Sequence, residues 1–255
     1  MAEKNNIIIT TRSLTTELNF LSTKAYQDPF NQCILDVQFK TPTGRILTVP
    51  AFWSGNEQWV VRFCPFEIGE YQWETICSDT ENTGLHKKCG TLQVREYNGN
   101  HSLYRHGPLK IAADKRHFEF SDGTPFFCFC DTWWNGLTER FCWPDDFTLL
   151  TQDRKRKGFT VVQICAGFPP IMSAFDKRGR NEAGWPWLDG FTSINPDFYN
   201  LADLRIRHLV EQEIVPCIFG CWGFILLDMG VEKMKQHWRN IIARWGAYPV
   251  VWSLA

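Results

Sequence analysis

Through the first hundred residues, apolar positions alternate with polar ones. "QCILDVQFK" (32–40) sets Cys33, Leu35, Val37 and Phe39 on one side of an extended chain. "RILTVPAFW" (45–53), "QWVVRF" (58–63), "GEYQWETICS" (69–78) and "GTLQVREY" (90–97) repeat the pattern. Turn formers lie between them: Ser54-Gly55-Asn56, Pro65, Gly69 and Asn82-Thr83-Gly84. Short strands at this spacing, with no helical period, predict an immunoglobulin-like β-sandwich over residues 1–100. The Cys–Trp–Cys spacing of a true immunoglobulin domain is missing, and "EYNGNHSLYRHGPLK" (96–110) is linker-like.

After residue 107 the period changes. "FFCFCD" (126–131) is a continuous apolar run, as in a strand covered on both faces and ending at Asp131. A helix is predicted over 144–158, with Pro144 in its first turn, Asp145 and Asp146 at the positive end of its dipole and Gly158 as its stop. "FTVVQIC" (159–165) is a second buried strand. A long loop rich in Gly, Pro and Trp covers 166–195. Asn195-Pro196 opens a helix with Phe198, Ala202, Ile206, Leu209 and Val210 on one side. "IVPCIFGCWG" (214–223) is a third strand. A helix over 230–246 carries Met234, Trp238, Ile241, Ile242 and Trp245 as its inner stripe, and "PVVWSLA" (249–255) begins a fourth strand. Strands alternating with helices predict βαβ units in a parallel sheet, either doubly wound or a (β/α)8 barrel.

Composition narrows the chemistry. No Gly-x-Gly-x-x-Gly or Walker loop follows a strand, which argues against nucleotide cofactors. Net charge is -1, and Lys155-Arg156-Lys157 has a use at a helix C-terminus, so no nucleic-acid partner is expected. The most apolar segment, residues 215–227, is shorter than a membrane span needs. The ten cysteines show neither a Cys-x-x-Cys pair nor matching histidines. They read as buried thiols, not zinc ligands or a disulfide scaffold. With no leader-like run at the start and many free cysteines, the expected location is the cytoplasm, or outside the cell if a leader is missing. The 12 tryptophans suit a ligand with flat apolar faces. Strand ends carry Asp131-Thr-Trp-Trp-Asn, Ala166-Gly-Phe-Pro and Cys221-Trp-Gly, a mixture of rings and hydrogen-bonding groups that a sugar cleft requires.

"DTWWNGLT", "GFTVVQI", "FDKRGRNEAGWPW", "INPDFYNLAD", "IVPCIFGCWG" and "GVEKMKQHWRNIIARWGAYPVVWSLA" together resemble the apiosidase-like glycoside hydrolases. The resemblance runs over nearly the whole chain. It implies an N-terminal β-sandwich (1–100) followed by a (β/α)8 TIM barrel, here its first half (101–255), and hydrolysis of a glycosidic bond by two carboxyl groups. It implies no cofactor and no metal, and an oligosaccharide or polysaccharide substrate, with apiose-containing, pectin-like side chains as the family-level expectation. In barrels of this type the acid/base follows the fourth strand and the nucleophile ends the seventh. The fourth strand here is "VVWSLA", and the part after residue 107 is well short of the ~250 residues of a complete barrel. Both catalytic acids are therefore expected beyond Ala255, which would leave this fragment inactive by itself. The alternative is a carbohydrate-binding or adhesion protein on the same scaffold.

The candidate sugar contacts are Asp131, Trp133, Trp134, Asn135, Gln163 and Trp222. Each has a structural reading beside the functional one. Asp131 suits a hydroxyl contact or an ion pair that holds its loop. Neighbouring residues face opposite ways, so one of Trp133 and Trp134 belongs to the core. Gln163 suits an internal hydrogen bond, and Trp222 a packed rim. Charges of the long loop (Asp176, Arg178, Glu182) read as solvated, and His208 and His237 as ordinary surface or interface residues.

Overall fold

The computed structural model describes residues 7–254. The expectations placed on the first six residues and on Ala255 lie outside them. The chain forms two compact units, one taking in residues up to Asn100 together with Ile242–Ala247, the other His101–Ile241 with Tyr248 onward.

The first unit holds β1 (Ile7–Thr11), β2 (Thr16–Leu21), a one-turn helix α1 (Pro29–Gln32), β3 (Leu35–Lys40), β4 (Ile46–Pro50), β5 (Phe52–Gly55), β6 (Gln58–Phe63), β7 (Gly69–Cys77) and β8 (Cys89–Arg95). The strands make a five-stranded sheet, β1-β8-β7-β3-β4, and a three-stranded sheet, β2-β6-β5. Pairing is antiparallel except between β1 and β8. Both sheets fill one core, with Leu18 and Phe20 from β2, Leu35, Val37 and Phe39 from β3, Trp59, Val61 and Phe63 from β6, and Tyr71 and Trp73 from β7. Phe39 and Phe63 stack at 4.0 Å. This core follows from the two-residue period read in the sequence.

One expectation fails here. Residues 45–53 read as one strand, but the chain leaves the five-stranded sheet at Pro50 and enters the three-stranded sheet at Phe52. Ala51, buried between them, donates its N–H to the Leu35 carbonyl at 3.0 Å. Alternation records which side faces the core, not which sheet supplies the partners.

The second unit opens with α2 (Ser102–Arg105) and a small antiparallel sheet of β9 (Leu109–Ile111), β10 (Phe118–Phe120) and β11 (Pro125–Phe126), a stretch read partly as linker. Then follow β12 (Cys130–Trp133), α3 (Asp145–Arg156), β13 (Val161–Cys165), α4 (Pro196–Glu211), β14 (Val215–Phe219), the short α5 (Ile225–Met229), α6 (Val231–Trp245) and β15 (Val251–Ser253). Two local signals act as read, whereas Pro144 precedes α3 and does not stand in its first turn. Gly158 takes φ +82° after α3, and the Asn195 side chain accepts from the Asp197 and Phe198 N–H groups at the start of α4. Strands β12, β13, β14 and β15 lie in that order, all parallel. The order never reverses, as a doubly wound sheet would require. The small sheet closes the lower end of one face, where Phe120, Phe126 and Leu103 pack on Val161 and Val215.

Two details depart from the sequence reading. The run 126–131 is not one buried strand. Phe126 belongs to β11, Phe127 and Phe129 are exposed, and β12 starts only at Cys130. Asp131 is thus the second residue of its strand, not the last. In α6 the buried residues are His237, Asn240, Ile241, Ala243, Arg244 and Trp245, while Ile242 is exposed. The His237–Ile241–Trp245 spacing is itself helical.

Core position should govern stability in the first unit. Phe39→Ala is expected to destabilise it by ~3–5 kcal/mol, whereas Ile9→Ala, at an exposed position of β1, should change it by less than ~0.5 kcal/mol. Urea unfolding of the two variants gives the comparison.

Candidate functional site

Alternation along β12 sorts the candidate residues. Register pairs Thr132 with Gln163 and Gln163 with Cys217, so these three stand side by side on one face of the parallel sheet. Asp131 and Trp133 take the other face, under helix α3. Trp133 is buried and packs edge-on against Phe147 of that helix at 5.4 Å.

The Asp131 carboxylate is fully engaged. Its Oδ2 accepts from Arg154 Nε at 2.5 Å and from the Trp133 indole N–H at 2.9 Å, and its Oδ1 accepts from the Thr132 N–H at 2.8 Å. Partial burial pushes this carboxyl up, but the bonds from Arg154, Trp133 and Thr132 outweigh burial and hold it below the ordinary aspartate range. Arg154 comes from the basic end of α3 and also covers the Phe159 ring. Asp131 therefore has a clear structural use: it ties the strand to the helix and fixes the Trp133 ring. These bonds hold it as a carboxylate turned towards the helix side.

Trp134, the next residue, is half-buried on the Thr132 side. Its ring lies 5.7 Å from that of Trp222, at an interplanar angle of 57°. Trp222, 37% exposed, rests edge-on against Phe219 at 5.9 Å. The loops after β12 and β14 thus bring two partly exposed indoles together at the C-terminal end of the sheet. Asn135 follows directly, and its Oδ1 is buried with no hydrogen-bond partner among the described residues. Gln163 lies lower on the same face, half-buried. Among the described residues no group of three or more His, Cys, Asp or Glu is arranged to hold a metal ion, and no helix is long and apolar enough to cross a membrane.

A residue read as ordinary surface turns out to brace this rim. His237 is completely buried. Its Nε2–H donates to the Gly220 carbonyl at 2.9 Å. Its Nδ1 accepts from the Trp187 indole and the Tyr199 hydroxyl, each at 3.2 Å. Three elements therefore meet on one imidazole: the turn leading to Trp222, the long loop and α4. Glycine is required where the strand ends converge. A Cβ on Gly167 would lie 2.6 Å from the Gly220 carbonyl oxygen, and one on Gly220 would lie 2.7 Å from the Trp238 ring. The His237, Ile241, Trp245 spacing was the available signal for this residue.

The long loop 166–195 is held in place by its own contacts. Trp185 donates to the Asp176 carbonyl, Asn195 donates to the Ala183 and Trp185 carbonyls, and Asn181 donates to that of Phe198. Phe168, Phe175 and Phe191 pack ring against ring. Glu182 is not simply solvated: it accepts from the buried Arg205 at 2.8 Å.

Burial pushes the His237 imidazole down to about 4. The unfolded chain binds this proton near pH 6.5 and the folded chain only near 4, so unfolding takes up a proton between those values. Stability is expected to be level above pH 7 and to fall as pH drops from about 6.5 towards 4. His237→Asn should flatten that window, read as urea midpoint against pH. Arg154→Ala strands the Asp131 carboxylate and should cost ~1–3 kcal/mol. A shift in tryptophan emission, as Trp133 loses its fixed partner, should accompany that loss.

Comparison with known proteins places this geometry. The model of the apiosidase-like catalytic domain matches residues 112–255, and a domain of unknown function (DUF5060) matches residues 13–78. No curated protein matches the sequence. A Bacteroides vulgatus ATCC 8482 protein, provisionally described as a glycoside hydrolase, superimposes with a TM-score of 0.70 at 22% identity, over 96% of this chain and 49% of that one. A glycoside hydrolase family 5 structure from the same strain gives 0.50 at 19% identity, over 58% of this chain and 33% of that one. At these identities the structures speak for the fold, and the chain spans about half the length of the first and a third of the second. With the catalytic-domain match covering more than half of its residues, the chain belongs to the apiosidase-like glycoside hydrolase family.

Proposed function

We propose that this chain is the sugar-holding part of a glycoside hydrolase that cleaves complex, pectin-like polysaccharide side chains. The observation that carries the reading is the Trp134–Trp222 pair, two partly exposed indoles 5.7 Å apart at the C-terminal end of a one-way parallel sheet. Chemistry in (β/α)8 barrels gathers at that end. On this reading the four parallel strands are the first half of such a barrel, and the two sheets of the first unit are an immunoglobulin-like sandwich.

Trp134 and Trp222 form the platform for a sugar ring. Gln163 and Asn135 supply polar contacts. Asp131 and Trp133 contribute from behind, by fixing the strand that carries Trp134. The cleavage itself is assigned to two carboxyl groups, one protonating the leaving oxygen and the other attacking the anomeric carbon or activating water. Asp131 is not assigned to this pair, because its carboxylate ties β12 to Arg154 of α3 and to the Trp133 indole. The pair is proposed to come from segments other than those described, so residues 1–255 alone bind an oligosaccharide without releasing sugar from it.

The test has two arms. Titrating residues 1–255 with pectic oligosaccharides should quench tryptophan emission, and Trp134→Ala or Trp222→Ala should each weaken binding by about tenfold. No quenching by any member of the panel would remove the sugar platform. In the second arm, a longer protein that contains this chain is incubated with the same panel and the products are separated. Released sugar supports hydrolysis. Binding without release in the longer protein would favour a non-catalytic carbohydrate-binding protein.

A further inference from the structure

Two of the ten cysteines stand apart from the rest. Cys33 and Cys77 are both buried in the core of the first unit, and their sulfurs lie 3.5 Å apart. Cys33 is the residue on which α1 ends. Cys77 is the last residue of β7 and sits opposite Leu35 of β3. The backbone between them is already clamped, because the Ser78 N–H donates to the Ile34 carbonyl and the Ile34 N–H to the Ser78 hydroxyl, both at 2.9 Å. The Cys77 N–H is held by His86 Nδ1 at 3.2 Å.

We propose that Cys33 and Cys77 close into a disulfide when the chain folds in the presence of a disulfide oxidant such as oxidised glutathione. The bond needs the sulfurs about 1.5 Å closer than they stand. In the first step the thiolate of one cysteine attacks oxidised glutathione, forming a mixed disulfide and releasing one reduced glutathione. In the second, the other cysteine's thiolate attacks the protein sulfur of that mixed disulfide and releases a second. The sulfur–sulfur bond of oxidised glutathione breaks as the Cys33–Cys77 bond forms, and the two released glutathiones take up the two electrons and the two protons lost by the cysteines.

Position determines when this happens. Burial pushes the Cys33 thiol up to about 12, and the folded core keeps oxidant out, so the state of the pair is set as the chain folds. A reducing cytoplasm leaves two packed thiols, and an oxidising compartment leaves a staple across the first unit. Cys89, Cys128, Cys130 and Cys142 are exposed and open to ordinary thiol reagents in either state.

The experiment uses the full chain, unfolded and reduced, then refolded either with reduced glutathione or with a mixture of reduced and oxidised glutathione. Each sample is denatured, alkylated, digested and mapped by mass spectrometry. The oxidised sample should yield the peptides of Cys33 and Cys77 joined to each other, and the reduced sample both peptides alkylated. The oxidised protein should melt about 10 °C higher than the reduced one. Alkylation of both cysteines in the oxidised sample, a glutathione adduct left on either, or linkage of either to another cysteine would overturn the proposal. So would a linked protein that melts no higher than the reduced form. The map of the unaltered chain reads the bond directly, so the result does not depend on whether a cysteine variant folds.

Discussion

The candidate site rests on the two-residue alternation of one four-residue strand. Along β12, Asp131 and Trp133 are committed to the helix α3 side, where Arg154 and Phe147 receive them. Thr132 and Trp134 are thereby committed to the opposite side, where Gln163 and Trp222 are found. A slip of one residue would exchange the two sets, putting a carboxylate on the open face and Thr132 and Trp134 against the helix. The ion pair with Arg154 and the indole bond to Asp131 make that exchange costly.

The second constraint is the crowding of the strand ends around His237. Gly167 and Gly220 allow the backbone after β13 and β14 to approach closely, and the neutral imidazole joins that region to Trp187 and Tyr199. Trp222 stands two residues beyond Gly220, so its backbone leaves from this braced turn while its ring rests on Phe219 and faces Trp134. The rim is thus built as a platform supported from beneath, and the long loop 166–195 is one of the supports.

Much of this was legible in the sequence, for reasons that differ by element. The core of the first unit followed from period two, because Leu35, Val37 and Phe39 have no other way to leave water together. The stops and starts of α3 and α4 followed from Gly158, Asn195 and Pro196, which act through local backbone chemistry. Where the reading failed, the deciding information was non-local. The run 126–131 has the composition of a buried strand, but pairing of Phe126 with Phe118 ends one element there and delays the next to Cys130. Asp131 read as a strand-end acid for that reason. The role of His237 is not legible locally, because its three hydrogen-bond partners lie 17 to 50 residues away in the chain.

Pro50-Ala51-Phe52 has a consequence for which length changes the first unit tolerates. Most connections between its strands are surface turns, where an added residue bulges into solvent. At Ala51 a single buried residue passes the chain from one sheet to the other. An insertion or deletion at that point would invert the inside and outside of every position in β5 while leaving β6 unchanged. Among relatives, length variation should therefore collect in the loops and spare this crossing, even where the residue identities drift.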